Sequence, residues 1–205
     1  MEIIDLTRIL DGSLSIYTEG NYTDPPLEIE TWCTIWEQGY KVSHLSMGTQ
    51  TGTHIDAPAH FYAGGATLEA LPLEALIGPY LCVNLDQVTR AELVPFEADL
   101  NRKTILFLAS AVPAEVEITQ EVFEALLRLP CPVWAITNGI RIIGQKAFYF
   151  NRALAAAGKY LIEDLDESAA RRVKPDGRMI ALPLRLPGVT GSPCRVVVLQ
   201  EESIP

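Results

Sequence analysis

Apolar and polar residues alternate along LEIETWCTIW (27–36) and again along KVSHLSMGT (41–49). A two-residue period of this kind predicts strands, and EQGY (37–40) between them predicts a turn. The pattern then changes. PYLCVNLD (79–86), RKTILFLAS (102–110) and CPVWAITN (131–138) carry nearly continuous apolar runs, and KYLIEDL (159–165) predicts a further strand. Such runs predict strands buried on both faces. Helical periodicity falls between them, at TQEVFEALLRL (119–129) and FYFNRALAAAG (148–158). Thr119 is placed to cap the first of these helices, Glu121 lies in its first turn, and Gly158 is placed to stop the second. LEALPLEALIG (68–78) predicts a short helix broken by Pro72. TEGNYTDPP (18–26) predicts a loop. GRMIALPLRL (177–186) and CRVVVLQE (194–201) predict closing strands. Helices alternating with buried strands in the middle, and strands at both ends, predict a β-rich α/β fold. No internal repeat or polar linker divides the chain, so residues 1–205 are expected to form a single domain.

Composition narrows the class. The chain has 205 residues, 48% hydrophobic and 20% charged, enough for one sizeable core. The net charge of −10 argues against a nucleic-acid partner, which would need a basic face. No apolar run reaches the roughly 18 residues of a membrane span. The segment MEIIDLTRIL lacks the basic start and apolar core of a secretory signal. Cys33, Cys82, Cys131 and Cys194 are scattered, with no CxxC pair, and are expected to be free thiols in a reducing cytoplasm.

The chemistry concentrates in TQTGTHIDAPAHF (49–61). It holds His54 and His60, two of the three histidines in the chain, with Asp56 between them and Gln50 before them. Gly52 permits a close backbone approach, and Pro58 stiffens the residues around it. If the segment is extended, Gln50, His54, Asp56 and His60 share one parity and face one cavity. Imidazole nitrogen and carboxylate oxygen are good ligands for zinc or manganese. The same residues also suit a hydrogen-bonded cluster in a surface loop. His44, one strand earlier, is expected to be structural.

GTQTGTHIDAPAHF resembles the signature of the putative cyclase family, which includes bacterial kynurenine formamidases and isatin hydrolases. The family pattern is H-x-G-T-H-x-D-x-P-x-H. The match runs from Gly52 to His60 and departs at Gln50, where the pattern has histidine. WEQGYKVSHLS before the signature, GATLEALPLEALIGP after it, and ALPLRLPGVTGSPCRVVVLQ near the end extend the resemblance over most of the chain. It implies a swivelling β/β/α fold, a metal-dependent amide hydrolase, and a homodimer or larger assembly. It also implies His54 and Asp56 as metal ligands and His60 as the catalytic acid/base. A later histidine and glutamate hold a second metal in the family. NRALAAAGKYLIE (151–163) aligns with that element, with Glu163 matching the glutamate and Asn151 standing in place of the histidine.

Both family histidines are thus replaced by amides, whose neutral oxygens are weaker ligands than imidazole. His54, Asp56 and Glu163 are the strong ligands that remain, with Gln50 a weak one and Asn151 a candidate substrate contact. One divalent ion per chain is expected, zinc first and manganese second, with a small amide, formamide or lactam as substrate. Tyr17, Trp36, Phe61 and Tyr62 are candidates for an apolar pocket lining. The alternative is a non-catalytic small-molecule binding protein with a degenerate metal site. GNYTDPP departs from the family's usual stretch near the pocket, which bears on kynurenine formamidase activity itself.

Overall fold

The structure, a computed structural model, describes residues 1–93, 105–111 and 115–201. Its strands are β1 (Glu2–Asp5), β2 (Thr18–Glu19), β3 (Tyr22–Thr23), β4 (Glu28–Cys33), β5 (Val42–Ser46), β6 (His54–Asp56), β7 (Ile77–Asn84), β8 (Ile105–Ala109), β9 (Val116–Ile118), β10 (Val133–Ile136), β11 (Ile140–Ile142), β12 (Tyr160–Glu163), β13 (Arg178–Pro183) and β14 (Gly191–Gln200). Its helices are α1 (Ile35–Gln38), α2 (Gln120–Leu127), α3 (Tyr149–Ala156) and α4 (Glu167–Ala170).

The three apolar runs and KYLIEDL become β7, β8, β10 and β12, which lie side by side and parallel. Antiparallel strands complete the sheet. Its order is β1-β14-β13-β7-β8-β10-β12-β6, and β6 pairs with β14 as well as β12. The strands from β14 round to β6 therefore close on themselves, which removes two edges that would otherwise be open. β1 hangs on the second half of β14.

Side-chain alternation divides the core into two compartments. Ile105, Phe107, Val133, Ala135, Tyr160 and Ile162 join Ile55, Met179, Ala181, Val196 and Val198 inside the closed sheet. Their chain neighbours Leu106, Leu108, Trp134, Ile136 and Leu161 point outward, against Phe123 and Leu126 of α2 and Phe150 and Leu154 of α3. A strand with an enclosed face and a helix-covered face has no polar side. That is why β8 and β10, covered on both faces, lie in nearly continuous apolar runs.

α2 starts where expected, with the Thr119 hydroxyl accepting from the Val122 N–H. Several expectations are refined. Residues 68–78 form two 3-10 turns, Leu68–Ala70 and Leu73–Ala75, separated at Pro72. The expected loop at 18–26 contains the small β2–β3 hairpin. The short β9–β11 pair and α4 lack a periodic apolar signal of useful length, and the sequence pattern does not mark them. Residues 102–104 of the expected strand RKTILFLAS (102–110) lie outside the described residues. All four cysteines are free, Cys131 and Cys194 buried and the other two half-buried.

The β4–β5 pair departs most from the sequence pattern. The alternation implies one covered face, and Ile29 does sit opposite Leu45. Yet no residue of either strand is buried. Trp32, Ile35, Trp36 and Tyr40 are exposed as well, Trp36 at 95%. Among the described residues nothing buries the side chains of this hairpin.

Phe107 lies in the enclosed compartment at 0% exposure, with Tyr80 edge-on to its ring. Phe107→Ala is expected to lower unfolding free energy by about 3–5 kcal/mol. The measurement is a denaturant titration, with the loss appearing as a lower midpoint at unchanged slope.

Candidate metal centre

Strand pairing builds the centre. β6 runs between β12 and β14, with His54 opposite Glu163 and Asp56 opposite both Leu161 and Gly191. Within β6 the two-residue period sends Ile55 into the enclosed core and turns His54 and Asp56 to the other face. Gly52 makes the turn into β6 with φ +66°, a backbone conformation that favours glycine, and a Cβ there would push aside the Leu10 side chain, whose Cδ2 would stand 2.6 Å away. The Thr53 hydroxyl donates to the carbonyl of Asp164 at 2.6 Å, tying the start of β6 to the end of β12.

Ligand-type atoms of His54, Asp56 and Glu163 all lie within 4.8 Å of one another. His54 Nε2 is 3.6 Å from Asp56 Oδ1 and 3.8 Å from Glu163 Oε2. Its other nitrogen, Nδ1, is 2.8 Å from the carbonyl oxygen of Gly52. A carbonyl can only accept, so the proton sits on Nδ1 and the lone pair on Nε2 faces the two carboxylates. Asp56 Oδ2 is buried with no hydrogen-bond partner. A buried anionic oxygen without a partner is costly, and a cation is the partner that suits it. The nitrogen-and-oxygen donor set fits zinc or manganese. These residues therefore fit a divalent ion.

The electrostatics agree. Burial, reinforced by the charge of Asp56, pushes the Glu163 carboxyl up to about 8. Burial also raises Asp56, against the pull of His54 and His60. At His54 burial opposes the imidazolium, but Asp56 and Glu163 outweigh it and the net direction is up. In each case the folded chain without a cation holds on to a proton.

His60 sits on the 3-10 turn Pro58–His60, not on an extension of β6. The parity that grouped Gln50 with His60 is therefore broken twice, at Gly52 and at Pro58. The residues converge nonetheless, because the turn folds back. His60 Nε2 is 4.0 Å from Asp56 Oδ2. Gln50 Nε2 lies 3.4 Å from Asp56 Oδ1 and 3.4 Å from His60 Nδ1, while its Oε1 accepts from the Thr49 hydroxyl at 2.6 Å. Asn151, on α3, donates through Nδ2 to Glu163 Oε1 at 3.2 Å. His44 stays on the exposed hairpin, in ring contact with Trp32.

Aromatic rings border His60 on one side. Phe61 is edge-on to it at 4.6 Å, Phe148 stacks on Phe61 at 5.8 Å, and Tyr17 meets Phe148 at 6.1 Å. Of the expected lining residues, Tyr17 and Phe61 join this wall. Trp36 stands on the hairpin, and Tyr62 is half exposed. Phe148 carries no signal in the sequence, and its φ of 59° is strained for a bulky residue. Gly191 is a second residue that sequence reasoning passes over, although a glycine within a strand pattern signals a close approach.

A closed, strand-rich α/β domain with a buried His-Asp-Glu triplet beside an exposed histidine defines a protein with a candidate single-cation centre. The family described as putative cyclase matches residues 4–149, and the chain belongs to it. Kynurenine formamidase of Bacillus cereus is 29% identical over 213 residues, covering 96% of this chain and 97% of the relative. Among solved structures, isatin hydrolase A from Ralstonia solanacearum superposes with a TM-score of 0.78 at 20% identity, over 98% of this chain and 92% of that one, which shows the fold. A structure described as a potential metal-dependent hydrolase with cyclase activity gives a TM-score of 0.68 at 26% identity, over 98% of this chain and 99% of that one.

The raised groups make a pH prediction. Glu163 moves from an ordinary 4.5 to about 8, and Asp56 and His54 also move up. The folded chain thus binds more protons than the unfolded chain across this range, so metal-free stability is greatest at low pH within it and falls as pH rises toward 8. A divalent ion should reverse the trend, because it binds the ionised carboxylates. Thermal melts of chelator-treated protein at about pH 5.5 and 8, with and without zinc, check both signs.

Proposed function

We propose that this protein is a metal-dependent hydrolase of C–N bonds outside peptides, acting on a small amide, formamide or lactam. The observation that carries the reading is the convergence of His54, Asp56 and Glu163 on one point, with Asp56 Oδ2 left without a partner. His54 Nε2 and the two carboxylates hold one divalent ion, zinc or manganese. When bound, such an ion polarises a carbonyl and brings the pKa of a water toward about 7.

The chain's own residues supply the rest. The wall of Tyr17, Phe61 and Phe148 offers a face for a planar ring, which favours an aryl amide. His60 stands at the exposed mouth with Nε2 toward Asp56, placed to carry a proton to the leaving nitrogen. Asn151 fixes the orientation of Glu163 through its amide nitrogen and offers its carbonyl oxygen to a substrate N–H.

A homodimer belongs to the same reading. The β4–β5 hairpin exposes Ile29, Trp32, Ile35, Trp36, Val42 and Leu45, an apolar surface that a monomer in water would not keep open. A second copy of the chain is the occupant proposed. Among the described residues no helix is long and apolar enough to cross a membrane, and four free thiols accord with a reducing cytoplasm.

Binding without turnover is the second reading, favoured by the amides at Gln50 and Asn151. The two are separated by assay. Zinc- or manganese-loaded protein should hydrolyse an N-formyl aromatic amine or a small aryl lactam, with about one ion per chain by elemental analysis. His60→Ala should lower the rate by about 10²–10⁴-fold with metal content retained. Metal uptake and ligand binding without any turnover would favour the second reading, and two tight ions per chain would contradict the single-ion centre.

Assembly is tested separately. Light scattering at micromolar concentration should give a dimer. Trp32→Ser with Trp36→Ser should shift it toward monomer while the melting temperature of the body changes little. A monomeric wild-type chain would end the assignment.

A further inference from the structure

The turn that returns His60 to Asp56 is held from behind. Residues 57–66 leave β6 and fold back onto their own start. Two hydrogen bonds set the turn itself. The Ala57 N–H donates to the Thr190 carbonyl at 2.8 Å, and the His60 N–H donates to the Ala57 carbonyl at 2.9 Å. Three more lay the rest of the loop against it. The Tyr62 N–H meets the Pro58 carbonyl at 2.9 Å, the Gly65 N–H meets the Tyr62 carbonyl at 2.9 Å, and the Ala59 N–H meets the Ala66 carbonyl at 3.0 Å. Gly65 is thereby pressed onto the main chain of Pro58 and Ala59.

A Cβ built on Gly65 would stand 2.7 Å from the Ala59 nitrogen, 2.7 Å from the Pro58 carbonyl carbon and 2.9 Å from the Pro58 oxygen. All three are backbone atoms, so no side chain can swing aside to make room. Gly65 has no positive φ, so space and not conformation calls for glycine there. Gly64 is the converse case, with φ +81° and nothing within 4 Å of its Cβ. Moving a 2.7 Å approach out to an ordinary 3.4 Å contact takes a shift of about 0.7 Å. The Ala59–Ala66 and Tyr62–Pro58 hydrogen bonds resist separation of loop from turn. On its other side the turn meets the open mouth of the site, where His60 is exposed. The turn therefore yields in that direction and carries His60 with it.

We propose that Gly65 is a positioning residue, which by lacking a side chain lets the loop close on the Pro58–His60 turn and sets how far His60 reaches toward Asp56 and the cation centre. This role rests on the hydrolase reading, in which His60 serves the leaving nitrogen. Proton transfer needs its partners within hydrogen-bond reach, so a sub-ångström displacement of the ring acts on rate. The cation ligands His54, Asp56 and Glu163 are placed by strand pairing and not by this loop, so cation binding is spared.

A double-mutant cycle and two crystal structures test the role. In zinc-loaded protein Gly65→Ala should lower kcat about 10–100-fold with zinc content unchanged. In the His60→Ala background the same substitution should change kcat by less than about twofold, because no ring remains to misplace. One glycine inserted between Gly64 and Gly65, at an exposed tip, opens the same contact without a clash and should repeat the pattern even where Gly65→Ala does not fold. Gly64→Ala, strained but unobstructed, should lower the melting temperature and leave kcat within about twofold. Full kcat in Gly65→Ala, equal losses with and without His60, or an equal loss in Gly64→Ala would overturn the assignment. The structures read geometry without turnover. His60 Nε2 should lie near 4.0 Å from Asp56 Oδ2 in wild type and be displaced in Gly65→Ala, or in the insertion variant, with β6 unmoved. An unmoved ring would end the positioning role whatever the kinetics. Full kcat in His60→Ala, or no turnover in wild type, would end the hydrolase reading beneath it, and a displaced ring would then locate the failure there and not in the contact.

Discussion

β6 is three residues long, yet its two antiparallel pairings, to β12 and to β14, turn a parallel sheet with open flanks into a closed one. Everything at the centre depends on that closure. It sets His54 across from Glu163, which lies 109 positions later in the chain, and Asp56 across from Gly191. It buries Ile55 at 0% exposure and so fixes which face His54 and Asp56 can occupy. A one-residue slip would exchange those faces, and the apolar core would resist it.

Closure also creates the electrostatic problem that the site has to solve. Two carboxylates and an imidazole are brought together where water is scarce, and every shift runs toward protonation. A divalent cation reverses the preference of all three groups at once. The orphaned Asp56 Oδ2 is the local sign of the same demand. Left-handed conformations lie nearby, at Asp164, directly after Glu163, and at Phe148, on the aromatic wall. Gln50 and Asn151 each place an amide nitrogen against one of the two carboxylates.

The hairpin β4–β5 shows the other side of the same molecule. Closing the sheet satisfies seven strands and leaves no place in it for these two. Their apolar side chains, legible as alternation in the sequence, stay exposed among the described residues.

The sequence alone determined the elements that bury apolar surface. Nearly continuous apolar runs marked three of the four parallel strands, helical periodicity marked α2 and α3, and the spacing of His54, Asp56 and His60 marked the chemistry, because these are local patterns. It also showed, by comparison with the family signature, that Gln50 and Asn151 stand where histidines are expected. Tertiary structure decided the rest. Only the pairing of β6 could bring Glu163 to His54, and only the turn at Pro58 could return His60 to Asp56 after the extended parity ended. The contacts of the Gln50 amide, with Thr49 at its oxygen and with Asp56 and His60 at its nitrogen, arise from the turns on either side of β6. Such contacts depend on strand pairing and on turns, and no local period records them.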